Sequence, residues 1–260
     1  NYFSKKIKLI DNNWGRIKGG KESYRKNKKT FDLGRKIGLK KLIELNQKNT
    51  FNINKIHLDK DLAYFIGLWI GDGFTNKYKT HYIIQFIGHK NELTYYKEII
   101  CRYVEKTFTI KPIIKESLIG NFIRVNIYSK DLFYFLTENI GLPKGRKSHS
   151  VLIPEKIIIA EREILLSCIA GIYDAEGCVF FDKRKSYLKP YPRLDLHMLN
   201  LGILTQIKKI FDEEGIKSSW ANISNDNARL LIYGKENIKY FLTKIPLKNP
   251  KHLNKLKKQD

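Results

Sequence analysis

The sequence has few cysteines and no long apolar run, and both shortages restrict the class of protein. Only Cys101, Cys168 and Cys178 occur among 260 residues, without Cys-x-x-Cys spacing, which argues against a disulfide framework and a structural zinc site. The apolar stretches at 62–71 and 164–173 are about ten residues long, too short to span a membrane. The N-terminal residues are lysine-rich and lack an apolar signal core. We therefore expect a soluble intracellular protein in a reducing compartment: cytoplasm, nucleoid or organelle matrix.

Acidic residues are also scarce. Lys and Arg number 49 against 26 Asp and Glu, giving a formal net charge of +23. The excess is uneven: residues 1–56 hold 16 basic against 4 acidic residues, 57–142 hold 11 against 9, and 143–260 hold 22 against 13. Such a balance indicates a polyanionic partner, because neutralising phosphates releases condensed counterions. A membrane surface or an RNA scaffold is the competing interpretation, but no basic amphipathic anchor is evident, so nucleic acid is favoured.

An internal repeat organises the chain. Residues 65–73 read FIGLWIGDG and residues 169–177 read IAGIYDAEG, with the acids Asp72 and Glu176 separated by 104 positions. A second pair, RVNIYSKD at 124–131 and RLLIYGKE at 229–236, has an offset of 105. Two matches at nearly one offset indicate a duplicated unit.

The pattern of apolar residues predicts the same order of elements, αββαββα, in each unit, with strands at places such as 122–128 and 193–198. The alternation at 193–198 is typical of a half-buried antiparallel strand. The predicted fold is α+β. Its parts are a basic N-terminal extension at 1–56, a first unit at 57–142, a linker at 143–158, and a second unit at 159–260 that ends in a basic tail. Throughout, the N-terminal arm is residues 1–56, and the first and second repeats are 57–142 and 159–260.

Small residues recur four apart in both apolar helices, Gly67 with Gly71 and Gly171 with Ala175. Two such faces can approach closely, so the helices are expected to cross at a pseudo-twofold axis. The acids that follow, Asp72 and Glu176, would then lie near one another and repel unless a divalent cation relieved the repulsion. A buried helix that ends in an acid and a glycine is common, but two copies at matching places favour a functional pair.

These two segments resemble the LAGLIDADG motif, and the duplicated order of elements resembles the single-chain, two-motif LAGLIDADG homing endonucleases over about 57–245. The resemblance implies two four-stranded sheets forming a saddle over duplex DNA. It implies Mg²⁺ or Mn²⁺ bound by Asp72 and Glu176 with the carbonyls of Gly71 and Ala175. It also implies hydrolysis of both DNA strands by a metal-activated water, with no covalent intermediate.

Family members usually add a basic residue near the scissile phosphate, often a Gln-Lys pair at the end of the second strand. Here that place holds His89 and Lys90 in the first repeat and lies near His197 in the second. Lys183 and Lys185 are alternatives in the first strand and turn of the second repeat. A histidine at a strand end is more often structural, so all five are candidates only.

Candidate DNA-binding residues are the basic and polar side chains of the arm and of the strands. In the arm, short glycine-punctuated units repeat with an offset of 19 and resemble the DNA-contacting modules appended to some homing nucleases; a flexible charged tail is the alternative. The candidates are Arg16, Lys18, Lys21, Arg35, Lys36, Lys40, Lys77, Lys79, His81, Gln85, Arg124, Asn126, Lys183, Arg184, Lys185, Arg193, Asp195, His197 and Arg229.

The sequence thus favours a monomeric endonuclease acting on double-stranded DNA, encoded in an intron or derived from an intein. An intact intein is disfavoured because Asn1 and the final Lys-Gln-Asp lack the terminal chemistry of protein splicing. Three alternatives stay open: an intron maturase that binds RNA, a cleavage-inactive DNA-binding regulator of the same fold, and a structural RNA-binding protein.

Overall fold

The structure is a computed structural model that describes residues 13–48, 56–183, 190–224 and 227–257. Contacts divide the chain into two compact units, 1–49 and 50–260, so both repeats belong to one body. Among the described helices, none is long and apolar enough to cross a membrane. The three cysteines are free thiols, in line with the predicted lack of disulfides.

The N-terminal unit contains two helices, α1 (Trp14–Lys26) and α2 (Lys28–Lys48). Its described side chains are almost all exposed, including apolar ones such as Trp14, Phe31 and Ile37. Local pairs hold the helices: the Lys18 ammonium lies 4.8 Å from the Trp14 ring, and the rings of Tyr24 and Phe31 are 5.8 Å apart. Residues 14–26 and 28–48 of the predicted basic extension are thus helical.

The first repeat follows the predicted order of elements. Its elements are α3 (Lys60–Asp72), β1 (Gly73–Tyr78), β2 (His81–His89), α4 (Leu93–Tyr96), α5 (Arg102–Phe108), β3 (Ile113–Glu116), β4 (Phe122–Tyr128) and α6 (Lys130–Tyr134). A 3₁₀ turn at Lys90–Glu92 precedes α4, a π-helical turn at Lys97–Cys101 joins it to α5, and another at Phe135–Asn139 extends α6. Helix propensity along the sequence did not predict these π-helical turns.

The second repeat has the same order with two additions. A short helix α7 (Glu155–Ile158) precedes α8 (Arg162–Glu176), β5 (Gly177–Asp182), β6 (Tyr191–Met198), α9 (Leu201–Glu213), β7 (Ser219–Ser224), β8 (Asn227–Tyr233), α10 (Lys235–Lys244) and α11 (Pro250–Lys257). The prediction of a basic tail is wrong for 250–257, which form α11. His252 of this helix is buried against the ring of Tyr173, so the segment belongs to the core.

Each repeat contributes one antiparallel sheet, ordered β1-β2-β4-β3 and β5-β6-β8-β7. In the first sheet Gln85 pairs with Phe74 on one side and Asn126 on the other; in the second, Asp195 pairs with Cys178 and Leu231. One face of each sheet packs on the helices, and the alternate positions point away from them. The α+β fold of two αββαββα units is confirmed.

The two motif helices, α3 and α8, cross at their glycines. A Cβ on Gly67 would lie 2.0 Å from the Cys168 carbonyl oxygen, and one on Gly171 would lie 2.2 Å from the Tyr64 carbonyl oxygen. One turn later, a Cβ on Gly71 would lie 2.3 Å from the Ala175 Cβ. No side chain larger than hydrogen fits at these glycines without backbone movement, so the predicted close approach of the two helices is confirmed.

Candidate active site

Helix α3 begins and ends for identifiable reasons. The Asp59 carboxylate caps its first turn by accepting from the Leu62 N–H at 2.7 Å. The helix ends at Gly73, whose backbone is extended rather than left-handed. Glycine is required there by close packing, because a Cβ would lie 2.5 Å from the Trp69 ring. Gly177 ends α8 in the same way against Tyr173. The acids Asp72 and Glu176 are therefore the last helical residues before β1 and β5.

The two carboxylates have different surroundings. Asp72 is half-buried, and its Oδ2 accepts a hydrogen bond from the Tyr96 hydroxyl at 2.6 Å. Burial raises the pKa of Asp72 to about 6; the Tyr96 hydrogen bond opposes this increase and the Glu176 charge adds to it. Glu176 is exposed. A Cβ on Gly71 would lie 3.0 Å from the Glu176 Cγ, so both acids stand at one helix crossing.

A half-buried lysine lies at the end of α3. Lys147 comes from the predicted linker, and its Nζ donates to the carbonyl oxygens of Trp69 at 2.9 Å, Ile70, and Gly71 at 2.5 Å. The partial negative charge at a helix C-terminus favours a cation there. Burial lowers the pKa of Lys147 to about 8, and the carboxylates of Glu176 and Asp72 oppose part of that decrease.

A second lysine stands near the end of α8. The Lys251 Nζ lies 3.5 Å from the Ala175 carbonyl oxygen and 3.2 Å from Glu92 Oε1 of the first repeat. Lys147 and Lys251 are separated by 104 positions, the same offset as the two acids. Sequence reasoning missed both, although the repeated Lys-x-x-Lys at 144–147 and 248–251 at the acids' own offset was a usable signal.

A cavity of about 250 Å³ opens at this crossing. Its lining includes Gly71, Lys147, Ser148, Glu176 and His197. The predicted His197 thus lines the same cavity as the predicted acid Glu176 and Lys147.

Comparisons with known proteins agree with this arrangement. A family model described as a LAGLIDADG-like domain matches residues 163–246, within the second repeat. The homing endonuclease I-DmoI in complex with DNA and Ca is 19% identical, with a TM-score of 0.54 over 78% of this chain and 100% of that one. I-WcaI bound to its DNA recognition sequence is 17% identical, with a TM-score of 0.51 over 78% of this chain and 88% of that one.

Residues 163–246 carry a LAGLIDADG-like domain. The resemblance carried by the two motifs is confirmed, and the fold is that of the LAGLIDADG homing endonucleases.

The curated relatives are longer than this chain. An uncharacterized protein of Methanocaldococcus jannaschii is 28% identical over 145 residues, 55% of this chain and 51% of that protein. The tRNA-splicing ligase RtcB of Pyrococcus furiosus is 26% identical over 200 residues, 71% of this chain and 21% of that protein. The chain therefore spans about half the length, or less, of these relatives.

The donors at the crossing fit a hard divalent cation. Within the described residues, no cluster of three or more histidine, cysteine or acidic side chains could hold a metal. Mg²⁺ does not require one, because it is usually bound by one or two carboxylates with waters and substrate phosphates. The carboxylates of Asp72 and Glu176 are oxygen donors of that kind, and the Gly71 and Ala175 carbonyls beside them accept from Lys147 and Lys251.

The lining of the cavity at the crossing does not include the predicted catalytic residues His89, Lys90 and Lys183. His89 caps the 3₁₀ turn: its Nδ1 accepts from the Asn91 N–H at 3.2 Å, and Lys90 is inside that turn. Lys183 follows β5, at the opposite end of that strand from Glu176, roughly 20 Å away at the usual rise per residue. The structure does not bring Lys183 to the acids, which counts against its catalytic assignment. Lys185 lies outside the described residues.

On the first sheet, the predicted DNA-binding residues share the face that points away from the helices. They are His81, Gln85, Arg124 and Asn126, of which Asn126 is buried. Gln85 Nε2 donates to Asn126 Oδ1 at 2.6 Å, which orients both amides. Lys77 is the exception: its ammonium lies 5.2 Å from the Tyr82 ring, on the helix side of the sheet. Lys79 is in the β1–β2 turn with a left-handed φ of 54°.

On the second sheet, the predicted residues Arg193, Asp195, His197 and Arg229 also share the outward face. Several of their charges are paired. Arg193 lies 2.6 Å from Asp182, and Arg229 lies 3.3 Å from Asp195. Burial raises the pKa of Asp195, and the charges of Arg229 and His197 oppose this increase. Arg184 lies outside the described residues.

In the arm, the predicted residues are all exposed on α1 and α2. They are Arg16, Lys18 and Lys21 on α1 and Arg35, Lys36 and Lys40 on α2. Arg35 lies 3.7 Å from Asp32, and the rest of this basic surface faces solvent.

Proposed function

We propose that this protein is a divalent-metal-dependent DNA endonuclease that makes a double-strand break in a long duplex site, as the homing endonuclease of an intron or intein. The observation that carries the proposal is the pairing at the helix crossing. One acid from each repeat meets there, with Lys147 of the linker and Lys251 of the second repeat on the carbonyls of Gly71 and Ala175. Because one chain supplies both acids, the protein is expected to act as a monomer in an intracellular, reducing compartment.

Asp72 and Glu176, with the Gly71 and Ala175 carbonyls, would hold Mg²⁺ or Mn²⁺. The bound cation would polarise a scissile phosphate and make a water nucleophilic at neutral pH. The Lys147 ammonium places positive charge beside this site, and with a pKa of about 8 it can hold or release a proton near neutrality. His197, in the cavity lining, can orient a water or a phosphate oxygen.

The outward faces of the two sheets would read the DNA. The half-buried Gln85 has an amide suited to a base edge, and Asn126, which is 3% exposed, orients that amide. Arg124 and the arm's lysines suit phosphates. The solved neighbours I-DmoI, I-WcaI and I-LtrWI are described in complex with DNA, which supports this assignment of the faces.

Selection from a DNA library tests the proposal. The protein is incubated with randomised duplexes and Mg²⁺, and the ends of the cut molecules are sequenced. We expect discrete double-strand cuts that are lost, by at least about 100-fold, in Asp72→Asn and Glu176→Gln. Each variant should keep its affinity for uncut DNA and can retain nicking of one strand.

Three outcomes would contradict the proposal. Full cutting by either acid variant would show that the altered acid is not a ligand of the catalytic metal. Sequence-specific DNA binding without cuts would identify a regulator, and preference for structured RNA would identify a maturase.

The N-terminal arm is proposed to bind DNA phosphates. Deleting residues 1–56 should weaken binding and lower the log–log salt slope by about 0.9 for each phosphate that is no longer neutralised. The matched control is cleavage at saturating protein, which should survive because the arm carries no paired acids. An unchanged salt slope would show that the arm does not bind phosphates.

A further inference from the structure

Tyr96 stands behind Asp72 and faces away from solvent. Its side chain is 1% exposed, and its hydroxyl donates to Asp72 Oδ2 at 2.6 Å, whereas the Ile87 carbonyl oxygen is 3.4 Å away. A phenolic hydroxyl has a single proton to donate, and a charged acceptor at 2.6 Å makes the stronger bond. The proton of Tyr96 is therefore committed to the carboxylate.

Gly88 provides the space for the Tyr96 ring. A Cβ at this position would lie 2.4 Å from Tyr96 ring atoms, so any larger residue would displace the ring. The backbone of Gly88 is within strand β2, so glycine serves the close approach here and not an unusual φ. The end of β2 thus sets where the tyrosine hydroxyl meets the acid.

The second repeat has no such partner for its acid. Within the described part of the chain, no side chain donates a hydrogen bond to Glu176, which is exposed. The Asp72 side chain is shorter than that of a glutamate, so fewer torsion angles set the direction of its carboxylate. One hydroxyl behind the carboxylate can fix that orientation.

We propose that Tyr96 is a positioning residue that holds the Asp72 carboxylate in the orientation in which it binds a divalent cation. This inference rests on the proposed metal-dependent nuclease. Hydrogen-bond partners of metal-binding carboxylates commonly contribute 10- to 100-fold in metal affinity or activity, by orienting the ligand before the metal arrives.

Metal binding without catalysis tests the inference directly. Free Mn²⁺ is titrated with the full-length chain and followed by electron paramagnetic resonance. Tyr96→Phe keeps the ring and removes only the hydroxyl, and we expect its Kd for Mn²⁺ to rise about 10-fold or more. The matched control is Tyr95→Phe, whose hydroxyl bonds Tyr64 at 2.6 Å; its Kd for Mn²⁺ should stay close to that of the wild type.

Two further measurements separate positioning from a structural effect. DNA affinity in EDTA should be the same for Tyr96→Phe and wild type. Gly88→Ala, which displaces the ring and keeps the hydroxyl, should also weaken Mn²⁺ binding.

The outcomes are distinguishable. Wild-type Mn²⁺ affinity in Tyr96→Phe, together with its loss in Asp72→Asn, overturns the positioning role and leaves the metal site standing. Unchanged affinity in Asp72→Asn, or no Mn²⁺ binding to the wild type, overturns the metal site and the positioning role together.

Discussion

The two repeats use different interactions at the same positions. In the first, Asp72 is half-buried and accepts from the Tyr96 hydroxyl, and the half-buried Lys147 of the linker donates to the carbonyls at the end of α3. In the second, Glu176 is exposed and Lys251 is held by an ion pair with Glu92. The duplicated geometry thus survives although its supports differ, which indicates that the crossing helices carry the symmetry and that the neighbouring residues have diverged.

A second difference lies inside the motifs. Ile70 of the first motif corresponds to Asp174 of the second, which is fully buried. Asp174 Oδ2 accepts from the Tyr64 hydroxyl at 2.6 Å and from the backbone N–H groups of Lys248 at 2.6 Å and Asn249 at 3.0 Å. This carboxylate ties the first motif helix to the C-terminal segment that carries Lys251.

The largest loss of stability is expected at the helix crossing, where the two repeats still have equivalent interactions. Gly67→Leu and Gly171→Leu would each place a side chain into the backbone of the opposite helix, so each should destabilise by more than about 3 kcal/mol. Chemical denaturation measures this. Gly20→Leu on α1 is the control, since a Cβ at Gly20 would meet nothing within 4 Å. A fully stable Gly67→Leu or Gly171→Leu variant would show that these glycines do not lie at a close helix crossing.

Lys147 and Lys251 are expected to contribute unequally to catalysis. Lys147→Met is expected to lower the cleavage rate by about 100-fold or more, and Lys251→Met by less, because Glu92 already neutralises Lys251. Single-turnover nicking assays with each strand labelled provide the measurement. Equal losses in the two variants would mean that burial of Lys147 gives it no special role.

The same lysine predicts a pH dependence. The ammonium of Lys147 is present below a pKa of about 8 and is lost as pH rises through that value. Wild-type cutting should decline above pH 8 if this charge is required. A flat profile from pH 7 to 9 would contradict that requirement.

Asp174 should matter for stability and not for cutting. Asp174→Ala leaves a tyrosine hydroxyl and two N–H groups without an acceptor, at a cost of about 1–3 kcal/mol for each group left buried and unpaired. Asp174→Asn keeps an acceptor and is the control with the smaller loss. Thermal unfolding and cleavage at saturating DNA are measured together. Loss of cutting in a folded Asp174→Asn variant would show that its charge is needed for catalysis.

The smallest expected effect is a difference in stability between the Asp72 and Glu176 variants of the metal-free protein. The folded-state pKa of Asp72 is raised to about 6, so its ionisation opposes folding, and stability falls as pH rises from about 4 to 6. Asp72→Asn should therefore stabilise the protein by about 1–2 kcal/mol at pH 7 in EDTA. Glu176→Gln should change stability by less than about 0.5 kcal/mol, since Glu176 is exposed. Equal melting temperatures for the two variants would show that Asp72 and Glu176 do not differ in their effect on stability.

Much of the fold could be predicted from local signals. The duplicated motif, the glycines four apart and the alternation at 193–198 correctly predicted the crossing helices and the strand faces that carry Gln85 and Arg193. The bounds of β4, Phe122–Tyr128, were also predicted correctly, because apolar residues alternate along it. The C-terminal helix was not, since its lysines and Pro250 resemble a solvated tail and only packing against the core buries His252.

The sequence by itself determined the family resemblance, the repeat and the identity of the acid pair, because these depend on residue type and on spacing along one chain. Only the tertiary structure decided which groups surround the acids. Lys147 lies 75 positions from Asp72, and Tyr96 lies 24 positions away, so no local periodicity links them. Helix packing and strand pairing bring them together, and burial at that junction, which no single segment encodes, moves the pKa values of Asp72 and Lys147 toward neutrality.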